Sequence, residues 1–418
     1  MARTGRVFLV LALLLAGVAI WFTVSLVRSS ASPDQATTTR LSIPKKPPLA
    51  PFPTEPSVRQ PPVVAIDVVG PGKLWLIDGY GMFYSSDWGI TWRYSDPPSL
   101  GDPIADYTSS SFLNSQDGWL ITGIAKGTAV DHTINGGRSW TSVLLPRVAP
   151  IGRDADSLSF ANANDGFAAI QPATPSLLGP SVILSSVDGG STWSIVDQTA
   201  PVSRISFSSP STGWGLNPQG THLYETNDGG KSWQEVFLPT NKGSSRKWES
   251  LTLPTFFANR GVFLAQPSSG NALVEITHDG GMTWKALVTP FMAQPMEIPK
   301  SGAIICNTCV FLGKEPFAAV NASTFVFLEE GKLYRTANGG ESWTSMKTFP
   351  SIAIGYLGNQ GALGPLQFSS AQSGWAVTGS GGLLVTRDGG KNFSNVMSPC
   401  YNVFKGQSCA SMGLKASP

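Results

Sequence analysis

TNDGGKSW (226–233) and THDGGMTW (277–284) are two copies of an eight-residue unit that the chain carries seven times. The other copies read SSDWGITW (85–92), TINGGRSW (133–140), SVDGGSTW (186–193), TANGGESW (336–343) and TRDGGKNF (386–393). The shared pattern is Ser/Thr-x-Asp-x-Gly-x-Ser/Thr-Trp. Its third position holds Asp87, Asn135, Asp188, Asp228, Asp279, Asn338 and Asp388. A short acid or amide there accepts hydrogen bonds from nearby backbone N–H groups and closes a turn. Gly at the fifth position supplies the positive φ that a tight hairpin needs. The hydroxyls bond back across the turn. The closing aromatics Trp92, Trp140, Trp193, Trp233, Trp284, Trp343 and Phe393 open the next strand and wedge a large ring between neighbouring hairpins.

A second pattern precedes several of these boxes: FLNSQDGW (112–119), FANANDGF (160–167), FSSPSTGW (207–214) and FSSAQSGW (368–375). The Phe is expected to end an innermost strand, and the Gly-aromatic pair to open the second strand after a polar turn. The first repeat keeps a looser version, IDVVGPGKLWLID (66–78). The fifth and sixth are degenerate, with FFANRGVF (256–263) and STFVFLEEGKLY (323–334). The boxes recur about every 50 residues, the length of one four-stranded propeller blade. The predicted fold is therefore all-β, a seven-bladed β-propeller over 63–418.

Composition agrees. Gly (45), Pro (32) and Trp (13) are abundant in the 418 residues, and charged residues are only 13%, against roughly 25% in an average soluble domain. Short strands and tight turns suit those figures; helices with charged solvent faces do not. The formal net charge of +2 gives no reason to expect nucleic acid as a partner.

Upstream of the repeats, residues 7–27 (VFLVLALLLAGVAIWFTVSLV) carry no charge. At 1.5 Å per residue they cross roughly 30 Å as a helix, the thickness of a hydrocarbon core. Arg3 and Arg6 precede the run and only Arg28 closely follows it. The positive-inside rule places 1–6 in the cytoplasm and the propeller outside. The run is longer than the apolar core of a signal peptide, although cleavage within 29–32 (SSAS) is the competing expectation. The expected product is a single-pass plasma-membrane protein. Residues 28–62 are rich in Pro, Ser and Thr and are expected to form a semi-stiff stalk.

The boxes resemble the BNR/Asp-box repeats of sialidases and sortilin-type receptors. Combined with the Phe-x5-Gly-Trp pattern, they most resemble the photosystem II stability and assembly factor family. That resemblance implies an extracytoplasmic scaffold for assembling or stabilising a membrane complex, with a protein partner at the outer membrane face. The alternatives are a sialidase-like or other glycoside hydrolase, or a glycan-binding propeller without catalysis. The resemblance to sialidases implies an Arg-Ile-Pro motif, a carboxylate-clamping Arg set and a Tyr–Glu pair. The chain has no Arg-Ile-Pro; its nearest string is Arg204-Ile205-Ser206. Glu225, Glu235, Glu249 and Glu275 are the glycosidase candidates, expected instead on strand surfaces. No catalytic residue, metal site or cofactor is predicted. The box acids serve turns, and His132, His222 and His278 are scattered along the chain.

The longest irregular segments are 171–181, 238–254 and 289–318. Within 238–254, Lys242, Arg246 and Lys247 stand beside Trp248, a combination that suits an acidic protein or glycan. Four cysteines remain: Cys306, Cys309, Cys400 and Cys409. Outside the cytoplasm an even count favours disulfides. Three connectivities are open, and the local pairs 306–309 and 400–409 are expected. Alkylation of the exported protein without reductant should leave all four cysteines unmodified, and protease added to spheroplasts should remove the propeller. Bound zinc, free thiols or a protected propeller would contradict this topology.

Overall fold

The computed structural model describes residues 63–78, 81–102, 106–146, 157–171, 179–238, 248–292, 317–329, 332–348, 366–377 and 382–396. The apolar run 7–27, the stalk 28–62, the four cysteines and Lys242, Arg246 and Lys247 lie outside them. Among the described residues the only helical element is a 3-10 turn at Pro98–Gly101, and no helix is long and apolar enough to cross a membrane.

Seven antiparallel sheets form, each from consecutive strands of one repeat. They span 63–95, 106–144, 157–200, 204–235, 248–292, 317–348 and 366–396, here blades 1 to 7. Six have four strands. In blade 5 the innermost position is split into Trp248–Leu251 and Thr255–Phe257, both paired to Arg260–Pro267. The first strands of blades 1 to 4 lie side by side, as do those of blades 6 and 7, and that of blade 7 returns to that of blade 1. The chain is a seven-bladed β-propeller, as its repeats predict.

The Phe-x5-Gly pattern has a steric cause. Phe112 pairs with Gly118, Phe160 with Gly166, Phe207 with Gly213 and Phe368 with Gly374, each Phe ending an inner strand and each Gly opening the next. A Cβ on Gly118 would stand 1.9 Å from the Phe112 ring, and one on Gly166 2.4 Å from that of Phe160. The Phe ring lies flat over the glycine, where no side chain fits.

That ring then serves the seam between blades. In blades 1 to 4 the second-strand aromatic stacks on the inner-strand Phe of the next blade: Trp75 on Phe112 (4.8 Å), Trp119 on Phe160 (3.6 Å), Phe167 on Phe207 (3.6 Å) and Trp214 on Phe256 (5.3 Å). Seven apolar clusters result, one per seam. Among the described residues, the seam from blade 7 to blade 1 is closed by packing and by Gln367, with no shared strand. Blade 1 has no inner-strand Phe, and a different residue replaces it. Trp88 stands in its box where the other six have Gly, at φ 69. Its ring covers Gly72 and stacks on Trp375 at 6.4 Å, with the Arg387 guanidinium 4.7 Å above it.

Innermost strands also expose edge N–H groups, and the preceding blade satisfies several of them with side chains. Phe160 N donates to Ser111 Oγ (3.0 Å), Ile205 N to Ser157 Oγ (3.1 Å) and Phe207 N to Ser159 Oγ (2.9 Å). At the closing seam Gln367 does both jobs, accepting from Val68 N at 2.9 Å and donating to Ile66 O at 2.8 Å.

All seven box aromatics pack into the seam with the preceding blade. Most lie at its margin: Trp193 and Phe393 are buried, whereas Trp92, Trp140, Trp233, Trp284 and Trp343 are half-buried. The deepest rings are the second-strand tryptophans Trp75, Trp119, Trp214 and Trp375, at 0–1% exposure. Trp119→Ala should therefore cost about 3–5 kcal/mol. Trp233→Ala should cost about 2 kcal/mol, because a half-buried ring loses less area. Equal losses in denaturant midpoint for the two variants would refute this ranking.

Candidate functional site

Each box is a self-contained hydrogen-bonded turn. In blade 5, Thr277 Oγ1 donates to Asp279 Oδ1 (2.6 Å) and accepts from Gly281 N (3.0 Å). Asp279 in turn accepts from Thr283 N (2.9 Å) and Thr283 Oγ1 (2.5 Å). The same bonds recur around Asp87, Asp188 and Asp228. In blades 2 and 6 the direction of the last bond is reversed. Asn135 Nδ2 donates to Ser139 Oγ (2.7 Å) and Asn338 Nδ2 to Ser342 Oγ (2.9 Å). Asp388 accepts from Asn392 Nδ2 at 2.8 Å. The fifth-position glycines all have positive φ, from 73° at Gly137 to 99° at Gly281.

Other sequence-predicted residues are dispersed. Trp248 begins the inner strand of blade 5 and packs against the seam between blades 4 and 5. Glu225, Glu235 and Glu249 sit on three different strands. Glu275 departs from the strand-surface expectation: it is fully buried. It stands two residues before its box, where Phe83, Leu184, Tyr224, Tyr334 and Leu384 fill seams in other blades. Asp131 holds that position in blade 2, buried and accepting from Ser99 N (2.9 Å) and Ser99 Oγ (2.6 Å).

Two guanidinium groups donate hydrogen bonds between blades. Arg93 donates to the Gly136 and Gly137 carbonyls of the next box, and Arg335 to Ala371 O (2.7 Å) and Gly389 O (3.0 Å). Trp119 Nε1 makes the corresponding bond to Gly189 O at 2.8 Å. His132 stacks on Trp119 at 4.3 Å, with Nε2 2.9 Å from Asp117 Oδ1.

The seam between blades 5 and 6 differs. It opens into a cleft of about 340 Å³ with an apolar floor of Phe257, Val262, Ile276 and Leu287. Arg260, His278 and Lys285 line the blade 5 side, and Asn338, Gly339 and Glu341 the blade 6 side. Sequence reading did not single out this cleft, although the degeneracy of repeats five and six was its signal.

No protein-family model matches the chain, and no curated protein matches it in sequence. Solved structures match its fold. YCF48 bound to D1 peptide aligns with a TM-score of 0.52 at 15% identity, covering 78% of this chain and 91% of that one. YCF48 from Cyanidioschyzon merolae aligns with a TM-score of 0.52 at 15% identity, over 79% and 97% of the two chains. The GH74 enzyme of Niastella koreensis aligns with a TM-score of 0.54 at 15% identity, covering 78% of this chain and 52% of the enzyme. The shared property is the propeller itself.

Folding lowers the carboxyls of several boxes. The hydroxyl of Thr277, with the hydroxyl and amide of Thr283, holds the Asp279 carboxyl down at about 2. The Thr192 hydroxyl and amide and the Ser186 hydroxyl likewise lower Asp188. Groups depressed by folding contribute stability above their unfolded pKa and lose it as pH falls through the folded value. Stability should therefore decline from about pH 4 toward about pH 2. Asp279→Asn should be the less stable protein at pH 7, with the difference closing across that window. Urea melts with parallel pH profiles for the two proteins would show that Asp279 is not so depressed.

Proposed function

We propose that this chain is a non-catalytic, membrane-anchored binding scaffold whose propeller holds a protein partner at the outer face of a membrane, in the manner of a photosystem II assembly factor. The observation that carries this reading is the extent of the structural match. The propeller corresponds to nearly all of each YCF48 chain but to about half of the GH74 enzyme. One of those YCF48 structures holds a D1 peptide, so this architecture accommodates a peptide. The polar groups of this chain support the reading. Its box acids close turns, and Arg93 and Arg335 bridge blades. The apolar run 7–27 supplies the anchor, and the stalk 28–62 the distance from the bilayer.

The test combines capture with turnover. Tagged full-length protein, cross-linked in its native membrane and recovered in detergent, should bring down a defined membrane-protein partner. The purified protein should leave sialosides and β-glucans intact. Hydrolysis of either well above background would replace this reading with the glycoside hydrolase alternative.

A further inference from the structure

Internal repetition allows one seam to be compared with the other six. Register aligns Gly118, Gly166, Gly213, Gly261, Phe325 and Gly374, each paired to the first residue of a box. The next residue is Trp119, Phe167, Trp214 or Trp375 in blades 2, 3, 4 and 7, and each ring reaches into the following seam. In blade 5 it is Val262. The facing inner-strand Phe is also absent, because Ala319 pairs with Phe325 where other blades pair Phe with Gly. The seam between blades 5 and 6 thus lacks both stacked rings.

It also lacks a clasp. Where blade 6 has Arg335, bonded across its seam to Ala371 O and Gly389 O, blade 5 has Ile276, whose side chain has no polar group. Where blade 1 has Arg93 reaching two box carbonyls, blade 5 has Lys285. Among the described residues the side chains of Lys285 and Arg260 make no hydrogen bond or ion pair, although both backbones are paired in strands. A Cβ on Gly339 would meet nothing within 4 Å. The seam between blades 6 and 7 also lacks a large second-strand ring, since Val326 stands there, but Arg335 bridges it. Among the described residues, the seam of blades 5 and 6 alone has neither the stacked second-strand ring nor a side-chain bridge, although Tyr334 and Trp343 pack at it.

What remains is an apolar floor beneath two cationic side chains, opposed only by Glu341. Apolar pockets with a few convergent polar groups are the usual form of a ligand site, and this volume is at the small end of their range. We propose that the cleft between blades 5 and 6 is a docking site for an extended peptide segment. The segment would insert an apolar side chain over Val262 and Ile276 and present a neighbouring carboxylate to Arg260 and Lys285. Charge complementarity selects this occupant: the lining carries a surplus of positive charge. The inference rests on the scaffold reading and specifies where that scaffold binds.

The test uses the full-length chain in detergent and two labelled probes, acetyl-Leu-Asp-Leu-Asp-Leu-amide and its Asn-for-Asp counterpart, read by fluorescence polarisation. The acidic peptide should bind about fivefold more tightly than the neutral one, as expected for one or two partly exposed ion pairs. Arg260→Ala with Lys285→Ala should abolish that preference without lowering the melting temperature, since both side chains are exposed. Val262→Trp, which restores the ring that blades 2, 4 and 7 carry, should fill the cleft and eliminate binding of both peptides. Should that variant fold poorly, the exposed double variant decides alone. Equal affinity for both probes, no binding at millimolar peptide, or displacement by millimolar inorganic phosphate would each overturn the proposal. Partner capture in the native membrane reads the scaffold hypothesis separately. A captured partner with no peptide binding would sink only the cleft, and peptide binding with no partner only the scaffold.

Discussion

The contact on which the ring depends is one aromatic side chain lying against another across the boundary between blades. A four-stranded sheet of this size cannot bury its faces alone, so each blade is stable only when both faces are covered by neighbours. The Phe-over-Gly pair prepares that contact. Removing Cβ from one strand lets the Phe ring lie flat, and the flat ring becomes the surface on which the preceding blade's Trp rests. Seven repetitions leave no uncovered face only if the last blade meets the first. Among the described residues the closing seam has no shared strand, and packing together with the Gln367 bonds carries it. Trp88 makes that packing possible at the cost of a left-handed backbone. For a bulky residue this conformation persists only where surroundings impose it. Here stacking on Trp375 and the overlying Arg387 impose it.

The overall architecture was legible because its determinants are local. An Asp-box closes on itself within eight residues, so its hydrogen bonds can be read from spacing. The alternation of inner strand, polar turn and second strand follows from Phe-x5-Gly for the same reason. Features that depend on contacts between repeats were not legible. Trp88 looks like an imperfect box residue until the missing Phe of blade 1 is set beside it. Glu275 looks like a surface acid on an alternating strand, but both faces of a propeller strand are covered, so alternation does not report exposure. The depth of Trp119 relative to Trp233 likewise depends on which end of a seam each ring enters.

The same distinction applies to the candidate site. The cationic cluster in 238–254 was conspicuous as sequence, but its one described member, Trp248, packs against a seam. The cleft between blades 5 and 6 left the opposite signature, a loss of pattern: FFANRGVF and STFVFLEEGKLY omit the aromatic pair that regularity demands. In a repeat protein each unit buries the same surfaces, and departures from the repeat leave surface unburied. Here the departure removes two rings and a clasp from one seam without breaking the sheets on either side, which keep their strand pairing.

That combination explains how a propeller can acquire a binding site at low cost to its stability. Stability in such a ring is approximately the sum of blade and seam terms. Weakening one seam of seven leaves the ring closed, because the blades flanking it remain held by their other neighbours. The vacated volume is already walled by rigid sheets, so little ordering is needed when a ligand enters. Side chains that bridge other seams become surplus there: Lys285, at the position from which Arg93 reaches the next box, is left facing the cleft. A residue that stabilises the fold in one blade is thereby released for recognition in another, with no change in the backbone that carries it.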